Sequence, residues 1–498
     1  MLYVALKGHD WTYNIEDIVR LFLGWDKPIY INELMNELMN EGLFLDSEVS
    51  ETQEGYFVAN TLYKDGVVFS KLNGTVINEN ELETIRRARQ ELKRQLYILL
   101  SKYFNKELPW GTFTGIRPAK IVREMMDLDM DELSIKEKLR NYYLISDRKT
   151  QLAYEVAKNE LPILIKTSGP KKVGLYIGIP FCPTRCLYCS FTSNPIDKYH
   201  DKVKLYIEAL KRELTATWEL ISSKGWQVQS VYMGGGTPTS ISHEELDMIL
   251  NHLCTTYDLS SMEEFTVEAG RPDSITPEKL EVIKKYPVDR ISINPQTMND
   301  KTLELIGRKH TAADVKNAFY MAREHGFTNI NMDIIIGLPE EKLSDFEYTL
   351  SEIEKMSPEN LTVHSLAVKR ASRLKENLDE YDLKIKDAEL MTDASYLSAK
   401  KMGMEPYYLY RQKNMVGNLE NTGYCKKGLE NNYNIQMMEE TQTIFAVGAG
   451  AITKAIFQPE NRIERAGNVK NVDDYINRID EMIQRKIDLF STNLRLKG

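Results

Sequence analysis

Gly174-Leu-Tyr-Ile-Gly-Ile-Pro-Phe-Cys-Pro-Thr-Arg-Cys-Leu-Tyr-Cys189 is the stretch on which the reading of this chain turns. An apolar run, Val173 to Ile179, reads as a strand, and Pro180 leads from it into a loop. The loop carries Cys182, Cys186 and Cys189 in the spacing C-x-x-x-C-x-x-C, with Tyr188 just before the last thiol. Three thiolates hold three irons of a [4Fe–4S] cube and leave the fourth iron open to bind and react a ligand. Structural zinc sites take four protein ligands, and no second cysteine pair stands elsewhere in the chain. Five cysteines, three of them in one loop, are too few and too clustered for a disulfide framework. Thiolates at an iron–sulfur site need a reducing compartment, which predicts a cytoplasmic protein.

The bulk numbers set bounds. A chain of 498 residues has room for two or three domains, and 42 % apolar with 28 % charged residues is the composition of a globular protein. A net charge of −9 argues against nucleic acid as the main partner, because phosphate contacts need clustered cations. The first ten residues have no basic region followed by an apolar core, so no signal peptide is expected. Apolar runs such as Ile334 to Ile336 are strand-length, so no membrane span is expected.

From about residue 173 to about 403 strands and helices alternate. Expected strands are Val173–Ile179, Val228–Met233, Glu264–Glu268, Arg290–Asn294, Ile330–Ile336 and Leu361–Leu366, short runs rich in Val, Ile, Phe or Tyr. Helix starts are marked by Ser242-His-Glu-Glu245 and Ser344-Asp-Phe-Glu347, which read as capping boxes, and by Thr276-Pro277-Glu278. Six β-α units predict an α/β fold with a partial (β/α)6 barrel over 166–403, whose chemistry sits at the C-terminal ends of the strands. Residues 1–165 read as a separate α+β domain. In it a hairpin pairs Tyr56–Tyr63 with Val67–Leu72, a long helix covers Glu81–Tyr103, and Ser168-Gly-Pro170 is the linker onward. Residues 404–498 read as a mainly helical extension on the substrate side. Cys254 reads as core, and Cys425 is given no role.

The cysteine stretch resembles the radical SAM superfamily, in which the open iron chelates S-adenosylmethionine and an electron from the reduced cluster releases a 5′-deoxyadenosyl radical. Together with Gly234-Gly-Gly-Thr-Pro-Thr239 and Asp333-Ile-Ile-Ile-Gly-Leu-Pro339 it resembles the oxygen-independent coproporphyrinogen III oxidases over roughly residues 173 to 455. Trp110–Lys120, Leu361–Arg373 and Pro406–Asn418 look like the HemZ-type branch. The resemblance implies a [4Fe–4S] cluster on Cys182, Cys186 and Cys189. It implies S-adenosylmethionine contacts at Tyr176, Tyr188, Gly235, Gly236, Thr237, Glu268, Gln296, Arg308, Asp333 and Ile452. It further implies oxidative decarboxylation of propionates to vinyl groups, giving protoporphyrinogen IX, and a flavodoxin- or ferredoxin-like electron donor.

A substrate with four propionates needs cations and flat apolar surface at the barrel mouth. Lys369, Arg370 and Arg373, just beyond the sixth strand, and Arg411 are the candidates, with Tyr407, Tyr408 and Tyr410 to pack on a macrocycle. Solvated turns carry the same residues, so both readings stand. His364, on the sixth strand, is the one histidine placed to face the barrel centre. Two departures bear on the substrate. The oxidases have a histidine where Gly178 stands, and a tyrosine-rich arm with no counterpart in residues 1–60. Relatives without that arm include haem-trafficking proteins, so a haem carrier and another tetrapyrrole-modifying radical SAM enzyme stay open beside the oxidase.

Overall fold

The structure, a computed structural model, describes residues 1–24, 27–31, 42–115, 117–167, 169, 171–191, 193–367, 374, 387–412, 415–457 and 462–491. It divides into two units, Met1–Tyr154 and Glu155–Gly498. The boundary expected near 165 falls inside the helix Asp147–Thr167. The second half of that helix packs Leu164 with Tyr407, Tyr408 and Ile435, which places it in the second unit. Ser168 and Pro170 of the expected linker lie outside the described residues.

The first unit holds β1 (Leu2–Lys7), β2 (Ile29–Ile31), β3 (Leu43–Thr52), β4 (Gly55–Lys64) and β5 (Val67–Ile77), ordered β2-β1-β3-β4-β5 in one sheet. The expected hairpin is β4–β5, and its turn sets Asp65 and Gly66 at φ 49° and 78°, as a two-residue hairpin requires. The long helix runs Glu81–Phe104, with Asn80 accepting from the Glu83 N–H at 2.9 Å. Its Leu92, Leu96 and Leu100 join Val4, Val58 and Leu62 in the core of this unit.

The second unit holds β6 (Lys172–Ile179), β7 (Phe181–Cys182), β8 (Asn194–Pro195), β9 (Gln227–Gly235), β10 (Glu264–Gly270), β11 (Arg290–Ile293), β12 (Ile330–Ile336) and β13 (Asn360–Ser365). β14 (Met404–Tyr410), β15 (Asn421–Lys426), β16 (Thr443–Val447), β17 (Ile452–Phe457) and β18 (Arg462–Gly467) follow. Six strands, β6-β9-β10-β11-β12-β13, lie side by side and parallel in chain order, the partial barrel expected from the alternation. They are buried almost throughout, which is why they read as continuous apolar runs. Ser242 and Glu245 form the expected capping box, and Thr276 caps the helix that Pro277 opens. The box expected at Ser344 is not formed. That helix starts at Leu343, and the Asp345 carboxylate accepts from the Lys342 N–H at 2.9 Å.

The chain after 404 is not mainly helical. It supplies five strands, all in the same eleven-stranded sheet. β15 runs antiparallel to β13 with β14 outside it, while β16 lies parallel to β6 at the other edge and carries β17 and β18. Pro-Tyr-Tyr-Leu-Tyr and Thr-Ile-Phe-Ala-Val are short β-favouring runs, and their tertiary pairing outweighs the helical pattern on either side. The tail thus covers both edges of the barrel sheet.

One buried charge fixes the tail at the β6 edge. Glu213, fully buried on the helix His200–Ser223, accepts from the Gly448 N–H at 2.7 Å, the Tyr475 hydroxyl at 2.6 Å, the Asn468 amide at 2.7 Å and the Lys486 ammonium. Removing one partner of a buried pair leaves an uncompensated charge. Lys486→Met should therefore destabilise the protein by about 3 kcal/mol, read as a lower urea midpoint. An unchanged midpoint would show that Glu213 is satisfied without Lys486.

Candidate functional site

The C-terminal ends of the six strands surround an open cavity of about 1160 Å³ of empty space, solvent at its mouth included. Cys182, Cys186, Tyr188 and Cys189 line it from the loop after β6. Gly235, Gly236 and Thr237 line it from the end of β9, Glu268 from β10, Gln296 from beyond β11, Asp333 from β12 and His364 from β13. This is the end of a barrel at which chemistry sits.

The cysteine loop is held by backbone. Its Leu187 N–H donates to Ile306 O at 3.0 Å, and the Thr184 hydroxyl donates to Gly307 O at 3.0 Å. The Gly236 and Thr237 N–H groups donate to Ile179 O and Phe181 O, each at 2.7 Å. A Cβ on Gly236 would stand 2.4 Å from Phe181 O, and Gly235 sits at φ 107°, so only glycine serves at these two positions. The Thr237 hydroxyl then reaches Cys182 Sγ at 3.5 Å.

Polar groups converge on the cavity from the other strands. Glu268 accepts from the Tyr232 hydroxyl, and burial pushes its carboxyl up to about 7. Arg308 donates to Asn294 O at 2.6 Å and to the Tyr188 hydroxyl at 3.2 Å. His364 Nε2 lies 3.6 Å from Asp333 Oδ2. Gln296 takes φ 68°, held by its N–H on Asp333 O and its carbonyl on the Ile335 N–H, both 2.9 Å. Among the described residues its buried Oε1 has no hydrogen-bond partner, which suits a donor from a ligand.

The donor set fits a multi-iron cluster. Among the described residues no group of three or more His, Cys, Asp or Glu gathers tightly enough to hold one metal ion. Cys182, Cys186 and Cys189 line one cavity and would offer one ligand to each of three irons. Burial pushes the Cys189 thiol up to about 11 and raises that of Cys182, against the pull of Ser193 and Thr237. Coordination reverses that preference, because a thiol on a metal gives up its proton.

Five expected positions stand elsewhere. Tyr176 is not at the cavity surface; it stacks with Tyr232 and Tyr433 at 6.3 and 6.2 Å between ring centres and lies against Gly235. Ile452 already belongs to β17 and is 53 % exposed, away from the cavity. Arg411 is buried and donates to Asn418 O at 2.8 Å. Tyr407 and Tyr408 are core residues packed with Leu164 and Ile435, so of the three tyrosines only Tyr410 lines the cavity. Lys369, Arg370 and Arg373 lie outside the described residues. Cys425 is buried at 1 % exposure and Cys254 half-buried, both away from the cavity.

Arg271, Asn294, Gln412 and Asn421 line the cavity without having been singled out in the sequence. Asn294 and Gln296 follow the end of β11, and the Asn294 carbonyl accepts from Arg308 at 2.6 Å. Gln412 and Asn421 flank β14 and β15, which the helical reading of the tail concealed.

The radical SAM superfamily profile matches residues 176–353. The chain is 38 % identical over 445 residues to the oxygen-independent coproporphyrinogen-III oxidase-like protein HemZ of Bacillus subtilis, covering 88 % of each chain. It is 34 % identical over 286 residues to the heme chaperone HemW of the same organism, covering 55 % of this chain and 69 % of that one. Its fold is similar to the solved structure of coproporphyrinogen III oxidase HemN from Escherichia coli, with TM-score 0.50 at 20 % identity over 64 % of this chain and 72 % of that one. The protein is therefore a radical SAM protein, with a [4Fe–4S] cluster and S-adenosylmethionine as its cofactors. Within the superfamily it belongs to the HemZ-type oxygen-independent coproporphyrinogen-III oxidase-like proteins.

The Glu268 carboxyl gives a pH test. Its folded pKa, about 7, lies above the ordinary 4.5, so folding favours its protonated form. The resulting stability is fully present below about 4.5 and is lost as pH rises through about 7. Glu268→Gln should flatten the fall in unfolding midpoint between those pH values relative to the parent; parallel curves would contradict the burial of this carboxylate.

Proposed function

We propose that this protein oxidatively decarboxylates the propionates of coproporphyrinogen III to vinyl groups, giving protoporphyrinogen IX. The supporting observation is one cavity at the barrel mouth that brings the three cysteines together with Gly235, Gly236, Thr237, Glu268, Gln296, Arg308 and Asp333. In this reading Cys182, Cys186 and Cys189 hold the cluster. The glycine turn Gly235-Gly236-Thr237 would take the amino acid part of S-adenosylmethionine, and Glu268 would take its ribose. Tyr188, fixed by Arg308, and the unpartnered Gln296 Oε1 complete its contacts.

Bound there, the two groups would supply a 5′-deoxyadenosyl radical for hydrogen-atom abstraction at a propionate β-carbon, and loss of carbon dioxide to give the vinyl group would further require a one-electron acceptor from outside the chain. The chain's own residues bind and orient. His364, Tyr410, Gln412 and Asn421 line the cavity on the side of β13 to β15; in this reading they would face the tetrapyrrole. An imidazole, a phenol and two amides hydrogen-bond a propionate without a full ion pair. In this reading the reducing electron comes from a flavodoxin- or ferredoxin-like donor.

A second reading is a radical SAM haem carrier. It is favoured by the 34 % identity to a heme chaperone and by the cavity's cations: among the described lining residues the only arginines are Arg271 and Arg308, both engaged within the protein. Anaerobically reconstituted protein given S-adenosylmethionine, a reductant and coproporphyrinogen III separates the two readings. Oxidation predicts deoxyadenosine in step with products lighter by one or two units of formic acid, both absent in Cys186→Ala. Deoxyadenosine without tetrapyrrole change, alongside tight haem binding, would favour the carrier. In either case His364→Ala should weaken tetrapyrrole binding about tenfold, about 1.4 kcal/mol, by fluorescence quenching. Unchanged affinity would place the tetrapyrrole elsewhere.

A further inference from the structure

The strand β10 delivers more than Glu268. Gly270 turns the chain at φ 67°, and the next residue, Arg271, is 3 % exposed with its guanidinium at the cavity. Its backbone is pinned, since its carbonyl accepts from the Ser274 N–H at 2.9 Å and the Ser274 hydroxyl at 2.8 Å. Its side chain is clamped on one flank by Asp273, with Nε on Oδ1 at 2.9 Å and Nη2 on Oδ2 at 2.6 Å. The remaining nitrogen, Nη1, turns to the cysteine loop. There it donates to Thr184 Oγ1 at 2.7 Å and Thr184 O at 3.1 Å, and it reaches Cys186 Sγ at 3.9 Å. Behind the clamp, His310 Nδ1 lies 3.9 Å from Asp273 Oδ1. Burial alone would raise the Asp273 carboxyl, but His310 and Arg271 outweigh it and hold the carboxyl well below the ordinary carboxylate range. These two groups hold the aspartate in its charged form.

The geometry points to Arg271 as the residue that sets the reduction potential of the cluster, through an N–H contact and a directed charge on the Cys186 thiolate, with Asp273 as its counterweight. The inference rests on Cys186 being a cluster ligand. Potentials of iron–sulfur clusters follow the charge around them and the hydrogen bonds to their sulfurs. The Arg271–Asp273 pair is neutral in sum but polar: the guanidinium faces the thiolate and the carboxylate lies on its far side. Reduction adds an electron to the cluster. A positive end turned toward it favours the reduced state, and a negative charge behind it disfavours that state. The two residues thus act in opposite directions on one observable, which damage to the loop would not produce. Arg271 touches neither the tetrapyrrole nor the reacting carbon in this reading; it positions the loop through Thr184 and tunes the cluster through Cys186.

The test is a redox titration of the reconstituted full chain without tetrapyrrole, followed by electron paramagnetic resonance of the reduced cluster, with iron and sulfide counted in each variant. Arg271→Met should shift the midpoint to more negative potential, Asp273→Asn should shift it to more positive potential, and Arg271→Lys should stay near the parent. Equal midpoints in all four proteins at full cluster content would overturn the inference and leave Arg271 as a tie between two loops. If Arg271→Met fails to hold a cluster, Asp273→Asn decides: a midpoint at or below the parent's contradicts the account. The iron and sulfide counts of Cys186→Ala report separately on the ligand assignment, so a failure of that reading is distinguishable from a failure of this one.

Discussion

The carbonyl of Phe181 has to come within reach of the Thr237 N–H, and it can do so only because residue 236 has no side chain. Two hydrogen bonds of 2.7 Å, from Gly236 and Thr237 to the ends of β6 and β7, lock the glycine turn beneath the cysteine loop. Each buried backbone bond of this kind is worth only about 1 kcal/mol net. Its consequence is geometric: it fixes Cys182 against Thr237 and sets the loop's height over the barrel, so that residues from β10, β11 and β12 meet the same space. A Cβ at 236 would push the loop outward and separate the thiols from the polar ring that faces them.

The same economy appears at the sheet edges. A partial barrel has two, and the tail covers both, with β14 and β15 beyond β13 and β16 to β18 beyond β6. One cover brings Tyr410 and Asn421 to the cavity; the other brings the Gly-rich turn against Gly178. A Cβ on Gly448 would stand 2.4 Å from Gly178 O, and the Tyr206 hydroxyl bridges Gly178 O and the Ala449 N–H. The place where the oxidases have a histidine is here closely backed by this turn.

The barrel was legible because parallel strands buried on both faces write themselves as unbroken apolar runs. All six expected strands stand within a few residues of where the sequence placed them, and the cysteine spacing located the site. Glu268 and Asp333, on those strands, and Gln296, just beyond β11, all line the cavity. The tail was not legible, because strands of five to seven residues between helical segments carry no periodicity strong enough to overrule their neighbours, and β15 and β16 pair with β13 and β6, far away in sequence. Arg411 and Tyr408 were misplaced for that reason; charge and aromaticity suggest a binding wall, but only the register of β14 decides which side chains face it. Arg271 was invisible for another reason: nothing local distinguishes a surface Gly-Arg-Pro from one whose guanidinium is turned inward by an aspartate two residues on.

Cluster and S-adenosylmethionine would meet in one cavity, the cluster on the cysteine loop and S-adenosylmethionine on the strand ends. The most direct measurement is the electron paramagnetic resonance spectrum of the reduced, reconstituted protein before and after S-adenosylmethionine is added. The account predicts a changed cluster signal in the parent and a much weaker change when Asp333 is replaced by Asn. A cluster spectrum indifferent to S-adenosylmethionine would contradict it.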